Sequence, residues 1–192
     1  LNVAYVAIAK YLGLPAQAYM ALSDGKELDA QAGGETFSSA LLAALAGVNA
    51  VAGPGMLDFV LTFSLPKLVL DHEFCGQALH FCRPIEPLDD LPAQQLVDDL
   101  VRDGHLLTAP HTLEHWPREL YQTDPVIDRT TRDADAAEPL ADLAARAVEQ
   151  VEQRLARYQP FETDPAIDAE MRRLVLDGME AQDTLPEVPP PP

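Results

Sequence analysis

Residues 16–52 read AQAYMALSDGKELDAQAGGETFSSALLAALAGVNAVA, and this stretch sets the fold class. It opens with a short apolar run of strand length, Ala16 to Leu22, which leads into a polar loop, Ser23 to Gly33. Apolar residues then recur at helical spacing from Phe37 to Leu45, and Gly47 ends the helix. The pattern predicts a strand, loop and helix unit.

The same alternation continues on both sides of this unit. Val48 to Ala52 is a second short apolar run, and the loop Gly53 to Phe63 connects it to a helix that begins at Ser64. Before the first strand, apolar residues at helical spacing from Leu1 to Leu12 predict a helix that Gly13 caps. Because strands alternate with helices, we expect a parallel sheet with covered faces.

Two amphipathic helices are predicted after the second loop, the second of them at Pro92 to Arg102. Their expected inward-facing residues are Leu68, Cys75, Leu79 and Cys82 on the first helix and Leu96, Val97, Leu100 and Val101 on the second. A spacing of seven places the two cysteines ~10 Å apart on one helix, which is too far for a disulfide. Free thiols are therefore expected.

His105 to Leu107 is a predicted third short strand, followed by a helix from Thr112. Three βα units are too few to close an eight-stranded barrel. The predicted fold class is α/β, with about half of a TIM-type (β/α)8 barrel in residues 1–123, a helical extension in 124–185 and a proline-rich tail in 186–192. The extension is predicted to contain two helices, Ala134 to Tyr158 and Pro165 to Gly178. A small open doubly wound sheet is the alternative, and both folds place chemistry on the loops after the strands.

Composition limits the partners. The chain has 192 residues, 47% of them hydrophobic, and 31 acidic against 13 basic residues give a formal charge of −18. Such a surface disfavours nucleic acid and anionic membranes and favours cationic ligands or basic partners. No apolar run approaches the ~20 residues that span a bilayer, and the first residues do not resemble a signal peptide, so we expect a cytoplasmic protein. Because the sequence starts at Leu1 inside a helical pattern, we expect a piece of a longer chain.

Carboxylates are concentrated in the loop after the first strand. They belong to Asp24, Glu27, Asp29 and Glu35, with Lys26 and Gln31 among them. At the end of a strand, such groups could neutralise a cationic substrate or act as acid and base, and a solvated acidic loop is the alternative. Tyr19, Phe59 and Phe63 could add an aromatic wall, which favours an ammonium group, or could simply fill the core.

A histidine pair gives a second candidate site. His111 to His115 reads HTLEH, which fits the H-x-x-E-H pattern of inverted zinc peptidases, and the two histidines share a helix face. The pattern needs a third metal ligand nearby. A zinc-dependent hydrolase is therefore one hypothesis, and a His111 that faces a substrate or histidines that cap and pack are the others.

Several of these segments together resemble the trimethylamine methyltransferase family, in consistent order over most of Leu1 to Leu120. The matching segments are Ser23-Asp24 to Lys26, Asp29 to Gly33 with Glu35, LLAALAGVNAVAGPGMLD from Leu41 to Asp58, Leu70-Asp71 with Glu73, Gly104 to Thr108, and His111 to Leu113. The resemblance implies the C-terminal half of a TIM-type barrel. It implies an enzyme of methanogenesis or one-carbon metabolism that passes a methyl group from a methylated amine to the Co(I) of a corrinoid.

The corrinoid would be carried on a separate protein, and the enzyme would be a homo-oligomer. Trimethylamine members of the family use pyrrolysine, which is absent here, so a quaternary amine such as glycine betaine is the expected substrate. By carry-over, Asp29, Gln31 and Glu35 are expected near the substrate, with His105 and His111 lining the pocket. No catalytic residue and no bound metal are assigned, and Asp71 and Glu73 are expected to be structural.

Three positions depart from the family pattern. Gly34 stands where the family commonly has an aromatic residue, and Ala109 and Pro110 stand where polar residues are common. These departures motivate a further hypothesis, a catalytically silent binding or scaffold subunit of the same fold.

Overall fold

The computed structural model describes residues 1–87, 93–133 and 141–180. Its helices are α1 (Asn2–Tyr11), α2 (Ala30–Leu45), α3 (Leu65–Phe81), α4 (Ala93–Asp103), α5 (Pro110–Glu119), α6 (Leu143–Arg157) and α7 (Pro165–Glu180). Its strands are β1 (Gln17–Ala18), β2 (Ala50–Val51), β3 (Met56–Leu57) and β4 (Thr62–Phe63). The fold is mixed α/β and mostly helical. The strands of the described part form two pairs and no closed barrel.

The predicted strand, loop and helix unit is present. β1 pairs in parallel with β2, Gln17 opposite Ala50 and Ala18 opposite Val51, and α2 forms the crossover between them. The parallel arrangement is confirmed, although each strand has only two residues. Gly13 and Gly47 follow α1 and α2 with φ of 68° and 65°, as the cap prediction required.

The loop Gly53 to Phe63 contains a hairpin that the sequence analysis missed. β3 and β4 are antiparallel, with Met56 opposite Phe63. Of the four residues between the two strands, Asp58, Phe59 and Val60 have φ of 50°, 54° and 72°. Residues other than glycine rarely adopt positive φ, and hairpin turns that require it normally carry Gly, Asn or Asp. Phe59 and Val60 therefore give no hairpin signal in the sequence.

The polar loop is shorter than predicted because α2 begins at Ala30. Asp29 is its N-cap, and the Asp29 Oδ1 accepts a hydrogen bond from the Ala32 amide at 3.0 Å. Gln31 and Glu35 consequently lie on the first turns of α2 rather than in the loop. α3 begins in the same way at Ser64, as predicted.

Among the described residues, the core consists of three small groups of buried apolar side chains. The first joins α1, β1 and α2 through Val6, Ala18 and Ala43, and the third joins α2 to α3 through Ala40 and Ala78. The second group packs α3 against α6 and the segment before it, through Val69, Leu70, Val126 and Ala147. These contacts fix α2, α3 and β1 around the loop that begins at Ser23.

The predicted inward faces of α3 and α4 are wrong. Leu68, Leu79 and Cys82 are exposed and Cys75 is half-buried, whereas the buried positions of α3 include three charged residues, Lys67, Asp71 and Glu73. On α4, Val97, Leu100 and Val101 are exposed, Leu96 is half-buried and Asp99 is buried. Apolar periodicity identifies the apolar face of a helix, but it does not reveal when the buried face carries charged residues instead. The prediction that both cysteines are free is confirmed.

The predicted third strand is also wrong. Gly104 ends α4 with a φ of 73°, and the Ala109 amide donates to the Leu106 carbonyl at 3.1 Å, so residues 105–107 lie in a tight connection to α5. This turn is too short to form a paired strand. α5 begins at Pro110 and contains Pro117.

The chain divides into two compact units, Leu1–Ala156 and a second that begins at Arg157 and contains α7. The second helix expected in the extension is confirmed as α7. The first is confirmed only from Leu143 onward, as α6, because Ala141 and Asp142 are not helical; the part of that prediction at residues 134–140 and the tail 186–192 lie outside the described residues. None of the described helices is long and apolar enough to cross a membrane.

Candidate functional site

The Glu35 carboxylate collects hydrogen bonds from the loop that precedes α2. Its Oε2 accepts from the Ser23 hydroxyl at 2.6 Å and from the Asp24 amide at 3.0 Å, and its Oε1 accepts from the Gln31 amide group at 3.0 Å. Ser23 is buried, and its Oγ also accepts from the Gly25 amide at 2.9 Å. One carboxylate on α2 therefore organises the whole turn from Ser23 to Gly25.

These donors decide the charge of Glu35. The Ser23 hydroxyl, then the Gln31 side chain and the Asp24 amide, lower the pKa of the Glu35 carboxyl, and burial opposes them only in part. Lys67 adds a smaller lowering effect. Glu35 is consequently ionised at neutral pH and presents a fixed negative charge on the first turns of α2.

A cavity of about 330 Å³ opens beside this carboxylate. Its lining includes Glu35, Asp24 and Tyr19, and its remaining residues are Asn2, Met20, Leu22, Ser38 and Ser39. Acidic and aromatic residues are features of sites that bind organic cations. Among the residues predicted to lie near a substrate, Glu35 is the one that lines this cavity.

A second loop lies against the first. The Asp58 amide donates to the Gly25 carbonyl at 2.9 Å, and the Ser23 amide donates to the Met56 carbonyl at 3.2 Å. The ammonium of Lys26 lies 3.2 Å from the Asp58 Oδ1 and 4.9 Å from the centroid of the Phe59 ring. Backbone hydrogen bonds thus hold the hairpin turn beside the Ser23 loop.

A fully buried polar cluster lies beneath this loop pair. Lys67 forms an ion pair with the Asp71 Oδ2 and donates to the Thr36 hydroxyl at 2.9 Å, and the Gly55 amide donates to the same Asp71 oxygen at 2.7 Å. Burial raises the pKa of the Asp71 carboxyl, and the Lys67 hydrogen bond opposes that effect. The cluster joins α2, α3 and the start of the hairpin.

Glu73 forms a separate structural contact on α3. Its Oε2 accepts from the Asp124 amide at 3.1 Å and from the Tyr121 hydroxyl at 3.3 Å. Burial, with Glu73 nearby, raises the pKa of the Tyr121 hydroxyl. The contact fixes the segment after α5 against α3.

The predicted site residues do not share one set of described contacts. Asp29 caps α2, Gln31 and Glu35 bond to each other, and His105 is exposed in the connection between α4 and α5. His111 pairs with His115 on α5, with ring centroids 4.6 Å apart in an edge-to-face arrangement. In residues 1–87, 93–133 and 141–180, no three His, Cys, Asp or Glu side chains are placed to hold a metal, so the histidine pair lacks a third ligand there.

Sequence reasoning missed the roles of Ser23, Thr36 and Lys67. Ser23 precedes a carboxylate-rich loop and reads as an ordinary loop serine, and Thr36 and Lys67 lie on helices where polar residues are usually exposed. The i, i+4 spacing of Lys67 and Asp71 is compatible with an ion pair, but it does not show whether the pair is buried.

A larger apolar cavity of about 410 Å³ lies between α3 and α6. Its lining includes Leu68, Val69 and Leu155, with His72 and Arg154 as its polar members. None of the residues that surround Glu35 belongs to this lining. The candidate site therefore remains the smaller cavity.

The chain is similar to known proteins over most of its length. The family model described as trimethylamine methyltransferase (MTTB) matches residues 1–179. The chain is 34% identical over 169 residues to a glycine betaine methyltransferase of Desulfitobacterium hafniense (strain Y51), covering 88% of the chain and 35% of that relative. It is 31% identical over 178 residues to the trimethylamine methyltransferase MttB of Methanosarcina barkeri, covering 91% of the chain and 35% of the relative. The chain thus spans about a third of the length of these curated relatives.

Proposed function

Since the chain belongs to the trimethylamine methyltransferase family, we propose that it is part of an enzyme that removes a methyl group from a quaternary methylated amine. The methyl acceptor is the Co(I) of a corrinoid that a partner protein carries. In this proposal the chain contributes its βα units to a TIM-type barrel, as the C-terminal part of that domain. The parallel β1–β2 pair, with α2 as its crossover, supports this arrangement.

The observation that carries the proposal is the ionised Glu35 in the lining of a cavity that also includes Tyr19. Its pKa is lowered by Ser23, Gln31 and Asp24, so the carboxylate stays negative at the pH of the cell. A quaternary ammonium has no N–H to donate, and it is bound by charge and by the ring faces of aromatic residues, of which Tyr19 belongs to this lining. The cavity thus fits the charge and the surface of a methylated ammonium.

The size of the cavity also fits a small amine. A space of about 330 Å³ accepts a betaine or a tetraalkylammonium ion but not a corrinoid macrocycle. In this proposal the corrinoid therefore approaches the cavity from outside, on its partner protein. When bound, the corrinoid supplies the nucleophile that accepts the methyl group.

The role of this chain is to bind and orient the amine. A quaternary amine leaves as a neutral tertiary amine, so the transfer requires no proton. The ionised Glu35 carboxylate has no proton to donate, and its three hydrogen bonds hold it in one position in the lining. Holding the cation at one position aligns one methyl group with the cavity opening, which lowers the entropic cost of the transfer.

A methyl-transfer assay tests the proposal. The whole polypeptide in which this chain occurs is mixed with glycine betaine and a corrinoid protein reduced to Co(I), and dimethylglycine and methylated cobalt are measured. We expect turnover in the unmodified protein and a large rise in KM in Glu35→Gln. Glu27→Gln, in the exposed part of the same loop, is the matched control and keeps activity.

Failure to demethylate any quaternary amine, with the protein folded, would contradict the proposal. Binding of betaine without turnover would instead identify a binding subunit.

A further inference from the structure

The ammonium of Lys26 lies in a site made by three electron-rich groups. The Asp58 Oδ1 is 3.2 Å away, the Asp24 carbonyl oxygen is 3.1 Å away and the Phe59 ring centroid is 4.9 Å away. A carboxylate, a carbonyl and a ring face surround one positive charge. Asp24, Asp58 and Phe59 are called the outer subsite below.

The outer subsite is held in place without help from Lys26. The Asp58 amide bonds to the Gly25 carbonyl, and the hairpin pairs β3 with β4, so Asp58 and Phe59 are fixed by backbone contacts. Asp24 is fixed by its amide bond to Glu35. The backbone positions of the three residues therefore do not depend on the lysine side chain.

Lys26 is a weakly held occupant. Its side chain is 65% exposed and that of Asp58 is 33% exposed. Exposed ion pairs contribute little to stability, and holding a long side chain in one rotamer costs entropy. A mobile cation from solution can compete for such a site.

The outer subsite adjoins the candidate cavity. Asp24 belongs to both, because its carbonyl faces Lys26 and its amide bonds to the Glu35 carboxylate on the cavity wall. A ligand bound at the outer subsite would therefore contact Asp24, which also lines the Glu35 cavity. The formal charge of −18 further favours cations over anions at this surface.

We propose that the outer subsite binds a methylated ammonium group, and that Lys26 is a tethered competitor which leaves when that group arrives. The inference rests on the proposed function for its ligand class, but it adds a second cation site outside the Glu35 cavity. The subsite concentrates the amine at the cavity opening. Lys26 sets its affinity, since the free energy of displacing the lysine is subtracted from that of binding.

A binding experiment tests this without methyl transfer. Tetramethylammonium chloride is titrated into the whole polypeptide in which this chain occurs, carrying 13C-labelled phenylalanine, and the Phe59 ring signals, assigned with Phe59→Leu, are followed by NMR. Lys26→Met, which keeps the length of the side chain, is expected to bind tetramethylammonium about two- to fivefold more tightly at Phe59 than the unmodified chain. Asp58→Asn is expected to bind it more weakly.

Lys10→Met is the matched control, because it removes the same charge from a lysine that bonds to Asn49 instead. Its Kd should equal that of the unmodified chain. An equal or weaker affinity in Lys26→Met, or unchanged Phe59 signals at saturating tetramethylammonium, would overturn the inference.

The two proposals fail separately. Tighter binding in Lys26→Met without any methyl transfer would leave the outer subsite standing and reject only the enzyme. Methyl transfer with an unchanged Kd in Lys26→Met would leave the enzyme standing and reject only the outer subsite.

Discussion

Lys67 and Asp71 form an ion pair that is completely withdrawn from solvent, one turn apart on α3. The pair is joined by the Thr36 hydroxyl on α2 and by the Gly55 amide at the start of the hairpin. The Asp71 Oδ1 has no hydrogen-bond partner among the described residues. The cluster therefore depends on Lys67 for its charge balance, and it ties together the elements that frame the candidate site.

Removal of Lys67 alone should be strongly destabilising. Lys67→Met leaves a buried carboxylate without its cation, and breaking such a pair costs about 3–5 kcal/mol. The double variant Lys67→Met/Asp71→Asn should recover much of that loss, because no charge remains in the interior. Urea unfolding of both variants measures the difference, and a double variant as unstable as the single one would contradict this account.

The loss of stability in Lys67→Met should also depend on pH. Burial raises the pKa of the Asp71 carboxyl, and the hydrogen bond from Lys67 is the largest effect that lowers it. Lys67→Met removes that hydrogen bond, so the pKa rises further. A carboxyl with a raised folded-state pKa destabilises the protein as pH rises, and the penalty disappears once the pH falls below its unfolded value near 3.8. The stability deficit of Lys67→Met should therefore be smaller at pH 5 than at pH 8, as thermal unfolding would measure.

Val60 in the hairpin turn offers a stabilising change. Its φ of 72° is in the left-handed region, which a β-branched residue reaches only with strain. Val60→Gly should stabilise the protein by about 1 kcal/mol, after the greater entropy of glycine in the unfolded chain is subtracted. Leu61→Gly is the control, since Leu61 does not have a positive φ and should gain nothing. Equal shifts in melting temperature would mean that turn strain is not the cause.

The sequence correctly predicted those elements of the fold that carry common sequence signals. The β1–α2–β2 unit has apolar runs of strand length, a capping Asp29 and a terminal Gly47, and each feature has one common structural outcome. The hairpin was missed because Phe59 and Val60 are unusual turn residues. A turn formed by residues that are rare in turns cannot be predicted from the sequence until the surrounding contacts are known.

The errors on α3 have a different cause. Hydrophobic periodicity assumes that charged residues face solvent, yet Lys67, Asp71 and Glu73 are all buried and satisfied largely by groups distant in the sequence. The sequence also shows that carboxylates are clustered near Ser23, but it does not show that Glu35 is the carboxylate that accepts the hydrogen bonds of the loop. That role depends on the buried Ser23 hydroxyl, which donates to Glu35.

Two helical glycines should respond to alanine in opposite ways. A Cβ on Gly76 would lie 1.9 Å from the Tyr121 hydroxyl oxygen, whereas a Cβ on Gly34 would meet nothing within 4 Å. Gly76→Ala should displace Tyr121 from Glu73 and destabilise the protein by about 1–3 kcal/mol. Gly34→Ala should stabilise it by about 0.5–1 kcal/mol through helix propensity. Guanidinium unfolding gives both values, and a stabilised Gly76→Ala would contradict the packing described.

The pH dependence of stability should report the charge of Glu35. Its folded-state pKa lies below the ordinary value of 4.5, so the carboxylate contributes stability above that pH and loses it as pH falls through the lowered pKa. Glu35→Gln should therefore be less stable than the unmodified chain at pH 7, by about 1 kcal/mol for the weakened hydrogen bonds, and the gap should close in strong acid. Ser23→Ala should reproduce part of the effect, because the Ser23 hydroxyl is the largest cause of the lowered pKa. Melting temperatures between pH 3 and pH 7 test this, and a gap that stayed constant across the range would show that Glu35 is held by packing rather than by its charge.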